Sequence, residues 1–155
     1  MYENICKIVS KFVFKFISSL TTGKILFLFL LVGFSIYGNS LMNDFMRDDN
    51  TLVVKNPIIR NIQNIPQLLF GGTFYGGDSS TLIGRYYRPV QSIYFTLIAS
   101  TFGVYPFIFH FFQILLHIIN AVLLYKLFEK FFKKSLALFL GLLFLVHPIN
   151  TEAVI

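Results

Sequence analysis

Apolar and charged stretches alternate along the chain, and the lengths of the apolar ones set the first expectations. Residues 25–41 are about 17 positions without a charge, interrupted only by Ser35, Asn39 and Ser40, which is near the lower limit for crossing a bilayer. Residues 106–125 are about 20 positions, uncharged apart from two histidines, and residues 135–149 form a third apolar run. Each is expected to be a transmembrane helix. Between the first two lies residues 89–103, whose 14 or so uncharged positions fall short of a crossing. On a helical wheel Gln91, Ser92, Thr96, Ala99 and Ser100 gather on one side, and Val90, Ile93, Tyr94, Leu97, Ile98 and Phe102 on the other. That division predicts an interfacial helix lying along the membrane.

The polar stretches give the orientation. Residues 1–24 carry Lys7, Lys11, Lys15 and Lys24 against Glu3, with Phe12, Val13, Phe16, Ile17 and Leu20 at helical spacing. This is the pattern of a basic amphipathic segment on an anionic membrane surface. A second basic cluster, Lys126, Lys130, Lys133 and Lys134, fills residues 126–134. Lysines beside membrane helices mark the cytoplasmic side, so both clusters are expected there, with an even number of crossings between them. The fold class read from this is an all-α membrane protein of three transmembrane helices, with a cytoplasmic N-terminus. The alternative has four crossings, with 89–103 spanning and the lysine cluster outside. A cleaved signal peptide ending at Gly38-Asn39-Ser40 is the rival for residues 1–41, disfavoured by the length of the basic region before it.

Residues 42–88 then form an extracytoplasmic loop holding Asp44, Asp48, Asp49 and Asp78 against Arg47, Lys55, Arg60, Arg85 and Arg88. Asn56-Pro57 and Ile65-Pro66 read as turns or helix starts, and Gly71-Gly72 and Gly76-Gly77 as flexible corners. Ile58, Ile59, Ile62, Ile65, Leu68 and Leu69 recur at helical spacing and predict a short amphipathic helix, so the loop is partly helical. Residues 150–155 would emerge on the same face.

Composition agrees with a membrane reading: 55% of residues are hydrophobic, 13% are charged and the mean hydropathy is +0.71. With 20 Phe, 8 Tyr and no Trp, any aromatic belt at the membrane interfaces is built from Tyr and Phe. The net charge of +6 is divided among separated segments, which fits topology and not nucleic-acid binding. Cys6 is the single cysteine, so an intrachain disulfide is excluded; an inert thiol is the plain reading, with lipidation beside the membrane as the alternative.

Three groups of residues could carry chemistry. His110, Gln113, His117 and Asn120 follow at intervals of three, four and three, which places them on one helix face. Polar groups in hydrocarbon need partners, so this stripe is expected to face other helices, and interhelical hydrogen bonding suits it better than a metal. Asp48 and Asp49 are adjacent; one could take a proton from a nucleophile while the other positions a cation or a donor group. Arg85 and Arg88 flank Tyr86 and Tyr87, and guanidinium forks suit a lipid phosphate. No metal site, phosphate-binding glycine loop or nucleophile elbow is written in the sequence. A cofactor is not assigned, although a divalent cation would suit the acidic pair.

Several motifs in order carry a resemblance. They are Phe45-Met46-Arg47-Asp48-Asp49 with Leu52, Val53 and Asn56-Pro57-Ile58, then Tyr87-Arg88-Pro89, then Phe109-His110 with Leu116-His117 and Leu123-Leu124-Tyr125. Last comes Phe144-Leu145-Val146-His147-Pro148-Ile149-Asn150-Thr151-Glu152-Ala153-Val154. Over residues 43–155 the chain resembles the multi-pass O-mannosyltransferase-like proteins with C-terminal tetratricopeptide repeats, within the GT-C class of glycosyltransferases. The resemblance implies Asp48 as general base on an acceptor hydroxyl, with Asp49 in support, and Tyr87-Arg88-Pro89 opening the interfacial helix. It implies a polyprenyl-phosphate sugar as donor and a protein serine or threonine as acceptor; the expected location is the plasma (inner) membrane. Arg47 and Gln113 depart from the family pattern, which usually has an aromatic or apolar residue and an asparagine there. The chain ends at Ile155, before the Gly-Arg-x-Asp continuation that the pattern leads one to expect, so a fragment inactive alone is anticipated. The alternative is a small membrane scaffold joined through the His110 to Asn120 stripe, without catalysis. A transporter is disfavoured, because no charge lies within a proposed span and no inverted repeat is visible.

Overall fold

The computed structural model describes residues 19–46, 48–71, 76 and 87–154, with the side chains of Glu152 and Ala153 set aside. The basic segment read over residues 1–24 therefore lies outside the described residues as far as position 18, as do Arg47 and the stretch carrying Asp78 and Arg85. Among the described residues there are helices and no strand. Helix α1, Thr22–Tyr37, runs on into a 3-10 segment, Gly38–Met42. A π-helical turn, Asn50–Val54, two 3-10 turns, Ile58–Arg60 and Ile62–Asn64, and the short α2, Ile65–Phe70, follow. Helices α3, Pro89–Phe102, α4, Pro106–Phe128, and α5, Lys134–Val146, lead to a 3-10 turn, Pro148–Asn150, and α6, Thr151–Val154. The chain divides into two compact units, one of Met1–Asn39 with Gln113–Ile155 and one of Ser40–Phe112.

In the first unit α1 packs on α5, and the later part of α4 joins them at two glycines. A Cβ on Gly33 would lie 2.5 Å from Ile118 Cγ1 and 3.7 Å from Leu145 Cδ1, and one on Gly141 would lie 2.9 Å from Tyr125 Cβ. Hydrogen in place of a side chain is what lets these helix backbones approach. The inward residues recur every three or four positions: Ile25, Phe29, Gly33 and Tyr37 on α1, Ile114, Ile118, Ala121 and Tyr125 on α4, Leu138, Gly141 and Leu145 on α5. Their outward neighbours are as apolar, with Phe27, Leu31, Leu123, Phe139 and Leu143 all exposed. Helices apolar all round need a hydrocarbon solvent or further protein.

Two helical stretches are long and apolar enough to cross a membrane, Thr22–Met42 with 21 residues and Pro106–Phe128 with 23. Both extend past the expected 25–41 and 106–125, because Lys24 and Lys126 end an apolar run without ending a helix; a lysine stem can lie along the helix while its ammonium reaches the interface. Helix α5 has 13 residues, about 20 Å, against about 30 Å of hydrocarbon.

Proline chemistry fixes where α5 stops. His147 is pushed to an extended conformation, φ −67° and ψ 127°, as residues before proline are. Pro148 has no N–H for the Phe144 carbonyl; Asn150 Nδ2 donates to it instead, at 2.8 Å. The amide of Ile149 turns to His147 Nδ1, at 3.2 Å, and so leaves the Leu145 carbonyl. Tyr37 Oη and His117 Nε2 both donate to that oxygen at 3.0 Å. Since a carbonyl only accepts, Nε2 is the protonated nitrogen of His117.

The second unit is built on a core of Leu52, Val53, Ile59, Leu68, Ile98, Ala99 and Phe109. Where the spacing from Ile58 to Leu69 predicts one amphipathic helix, two 3-10 turns and the short α2 stand. Asn61 is extended, φ −128° and ψ 122°, and its side chain accepts from the Gln63 amide. Asn64 Nδ2 donates back to the Ile58 carbonyl at 2.9 Å. These local side-chain bonds compete with the continuous helical ladder. Buried Asn56 accepts from the Ile58 amide at 3.0 Å, and Gly76, at φ +84°, lies so close that a Cβ there would meet Asn56 and Ile58 within 2.8 Å.

Helix α3 turns Ser92, Thr96, Ile98 and Ala99 inward. Ser92 and Thr96 are buried, with their hydroxyls bonded to carbonyls one turn back on the same helix, while Val90, Leu97 and Phe102 are exposed. Gly103, at φ +82°, makes the corner into α4, a conformation that side chains with a Cβ rarely adopt.

Candidate functional site

Within the second unit the acidic pair is held from both sides. Phe45 meets Phe109 edge to face, centroids 5.4 Å apart, and on the far side Leu52 and Val53 are buried in the core. Between these anchors the chain turns tightly: the Asp49 amide donates to Met46 O at 2.9 Å, and the amides of Thr51 and Leu52 donate to Asp48 O at 3.0 and 2.8 Å. The Lys55 amide then reaches Asn50 O at 2.8 Å in the wider π turn. Such single π turns recur at functional positions in helices.

The two carboxylates are not equivalent. Asp48 is exposed and Asp49 half-buried. Burial holds the Asp49 carboxyl above the usual carboxylate range, and the neighbouring charge of Asp48 adds to this, while a backbone hydrogen bond at Met46 and the charge of His110 act in the opposite direction. His110 is only 5% exposed, and its Nε2 is buried without a hydrogen-bond partner. The Tyr94 hydroxyl on α3 is likewise buried and unpartnered, and burial pushes it up to about 12. Sequence reasoning assigned Tyr94 only to the apolar side of its helix; an aromatic ring with a polar tip in that position was the available signal.

The remaining candidates fall in different places. Arg88 is exposed at the start of α3 and takes part in an interaction, and beside it Tyr87 Oη donates to Leu69 O at 2.7 Å. Arg85 lies outside the described residues. Of the polar stripe on α4, His110 belongs to the unit that carries the acids; Gln113 is half-buried and engaged, and His117 bonds Leu145. Asn120 is exposed. So His110 shares a unit with Asp49, and the other three stripe residues have separate surroundings. Among the described residues no group of three His, Cys, Asp or Glu side chains is arranged to hold a metal ion.

An exposed carboxylate next to a half-buried one, on a turn fixed to an apolar core, is suited to accepting a proton from a hydroxyl that approaches from outside. Comparison with known proteins finds curated relatives over most of the chain. The chain is similar to Protein O-mannosyl-transferase TMTC1 of Mus musculus, 37% identical over 130 residues, which are 81% of this chain and 14% of that protein. It is similar to Protein O-mannosyl-transferase F38B6.6 of Caenorhabditis elegans, 32% identical over 136 residues, 82% of this chain and 19% of that one. With Protein O-mannosyl-transferase TMTC3 of Homo sapiens it shares 30% identity over 128 residues, 81% and 14% respectively. The chain thus spans less than a fifth of the length of these relatives. No family model matches, and no solved structure matches.

Proposed function

The chain belongs with the TMTC-like protein O-mannosyl-transferases, and from that premise we propose that it forms the acceptor-activating part of a membrane glycosyltransferase. The donor in this reading is a polyprenyl-phosphate sugar, mannosyl by analogy with the relatives' names, and the acceptor is a protein serine or threonine. The observation that carries it is the acidic pair itself: Asp48 open to an incoming group, Asp49 half-buried on a turn anchored to the core.

In this mechanism the acceptor Oγ attacks the anomeric carbon of the sugar and its proton passes to the Asp48 carboxylate. The bond from that carbon to the phosphate oxygen breaks, and the polyprenyl phosphate leaves with the electron pair. Arg88, with Arg85, meets the phosphate charge through forked hydrogen bonds. Asp49 supports Asp48. The acids lie on the extracytoplasmic side, across the bilayer from Lys126, Lys130, Lys133 and Lys134 and from the N-terminus. Thr22–Met42 and Pro106–Phe128 cross, α3 lies in the interface, and α5 makes a third, short crossing. The relatives are far longer, and in this reading transfer needs more of such a protein than these residues supply.

The test uses membranes expressing the full open reading frame. Asp48→Asn should abolish transfer of mannose to a protein acceptor, by about 100-fold or more, with insertion into the membrane unchanged. Retained transfer would remove Asp48 from its role. Accessibility labelling that found Asn43 to Asn56 on the same side as Lys133 would defeat the enzymatic reading altogether.

A further inference from the structure

We propose that the end of the first unit where α4 turns into α5 binds an anionic phospholipid, its headgroup on Lys24, Lys130 and Lys133 and its acyl chains beside Phe131 and Phe132. This rests on the membrane reading of α1 and α4 and not on sugar transfer.

Three helices of one unit meet at this end. Lys134 Nζ, in the first turn of α5, donates to the Leu20 carbonyl just before α1. Four residues on from Leu20, Lys24 stands exposed in the first turn of α1. Tyr125, in the last turn of α4, packs on Phe29 of α1 with ring centroids 6.0 Å apart. The chain then leaves α4 in tight turns: the Lys130 amide donates to Leu127 O at 3.2 Å, and the amides of Phe131 and Phe132 donate to Phe128 O at 3.0 and 2.8 Å. Residues 130–133 are thereby confined to one short corner beside the start of α5.

The charges gathered there do not cancel. Lys24, Lys126, Lys130, Lys133 and Lys134 stand against one carboxylate, Glu129, among the described residues of this end. Glu129 is already engaged, its Oε2 accepting from Lys126 Nζ at 3.0 Å and its Oε1 from Tyr125 Oη at 2.8 Å. These two bonds hold its carboxyl below the usual carboxylate range. Lys134 is occupied by the Leu20 carbonyl. Lys24, Lys130 and Lys133 are left exposed, with no carboxylate partner among the described residues.

Unmatched ammonium groups attract an anion, and the surface between them says which kind. Phe131 is 72% exposed and Phe132 46%, set between Lys130 and Lys133. An inorganic anion or an acidic peptide gains nothing from bare phenyl rings. An amphiphile with an anionic head and hydrocarbon tails matches both the lysines and the rings. Lysines beside a membrane helix favour anionic lipid by roughly fivefold each.

The test titrates lipid into the 155-residue chain in detergent micelles and counts bound molecules by native mass spectrometry. Dioleoyl phosphatidylglycerol should bind about 100-fold more tightly than dioleoyl phosphatidylcholine, which has the same chains. The preference should shrink as salt is raised. Lys24→Gln, Lys130→Gln and Lys133→Gln should each weaken phosphatidylglycerol by roughly fivefold, whereas Lys130→Arg and, in the second unit, Lys55→Gln should leave it unchanged. A measurement on the parent chain covers any variant that fails to fold: phosphatidylglycerol, and not phosphatidylcholine, should slow acetylation of Lys24, Lys130 and Lys133 without slowing that of Lys55. Equal binding of the two lipids, an unchanged preference in the folded glutamine variants, or unslowed acetylation at these lysines overturns the proposal. Displacement of the lipid by hexaglutamate would make the partner an acidic polypeptide, and displacement by inorganic phosphate a free anion; either result overturns it as well. Sugar transfer by the full open reading frame, found or not found, leaves each of these outcomes as it is.

Discussion

Tyr37 and His117 meet edge to face, with ring centroids 5.4 Å apart and planes 89° apart, and both donate to the oxygen of Leu145. One carbonyl oxygen has two lone pairs, so both donors can be accommodated. The oxygen is available because the chain breaks its helical ladder at Pro148. Tyr37→Phe or His117→Leu alone leaves one donor in place and should cost about 0.5–1.5 kcal/mol. The double variant strands a buried carbonyl and should cost more than the sum of the two, which a double-mutant cycle of unfolding in mixed micelles would measure.

Gly33 has no room for a methyl group, since its Cβ would lie 2.5 Å from Ile118 Cγ1 and 2.6 Å from Cδ1. Gly33→Ala should destabilise the first unit by about 1–3 kcal/mol. Because the obstructing atoms are the far end of one side chain, Ile118→Ala in the same chain should recover part of the loss. Comparing the three variants by thermal unfolding in detergent checks this.

The Asn150 side chain does the work of the amide that Pro148 lacks. Asn150→Ala should therefore cost about 1 kcal/mol. In a Pro148→Ala background it should cost little, because the new amide can reach the Phe144 carbonyl and extend α5. Slowed hydrogen exchange at position 148 would report that new bond.

Asp49 gives a pH dependence of known sign. Its carboxyl is raised by burial above its unfolded value, so the stability it contributes is present at low pH and lost as pH rises through the raised midpoint. Asp49→Asn should unfold at a higher temperature than the parent at pH 7, by on the order of 2 °C given the partial exposure. The difference should vanish below about pH 4. Melting curves at the two pH values decide it.

Much of the fold could be read from the order of the residues, and the exceptions have physical causes. Long apolar runs give away α1 and α4, but not their ends, since Lys24 and Lys126 sit inside the helical turns. The periodicity from Ile58 to Leu69 misleads because Asn61 and Asn64 bond to nearby backbone and break the ladder. For α3 the wheel separates two faces without saying which turns inward; burial of Ser92 and Thr96 is a fact of packing. The candidate site was visible as residues and invisible as an arrangement. No spacing distinguishes exposed Asp48 from half-buried Asp49, and the even intervals from His110 to Asn120 conceal that these side chains have different surroundings.

Helix α5, with lysines before it and His147 after it, has 13 residues to offer a hydrocarbon layer that is half as thick again. Laid across such a layer it would pucker the lipid around it by about 10 Å. The dimple would bring headgroups and water down beside the His147-Pro148 corner, so that polar groups there could stay wet at a depth that is elsewhere oil.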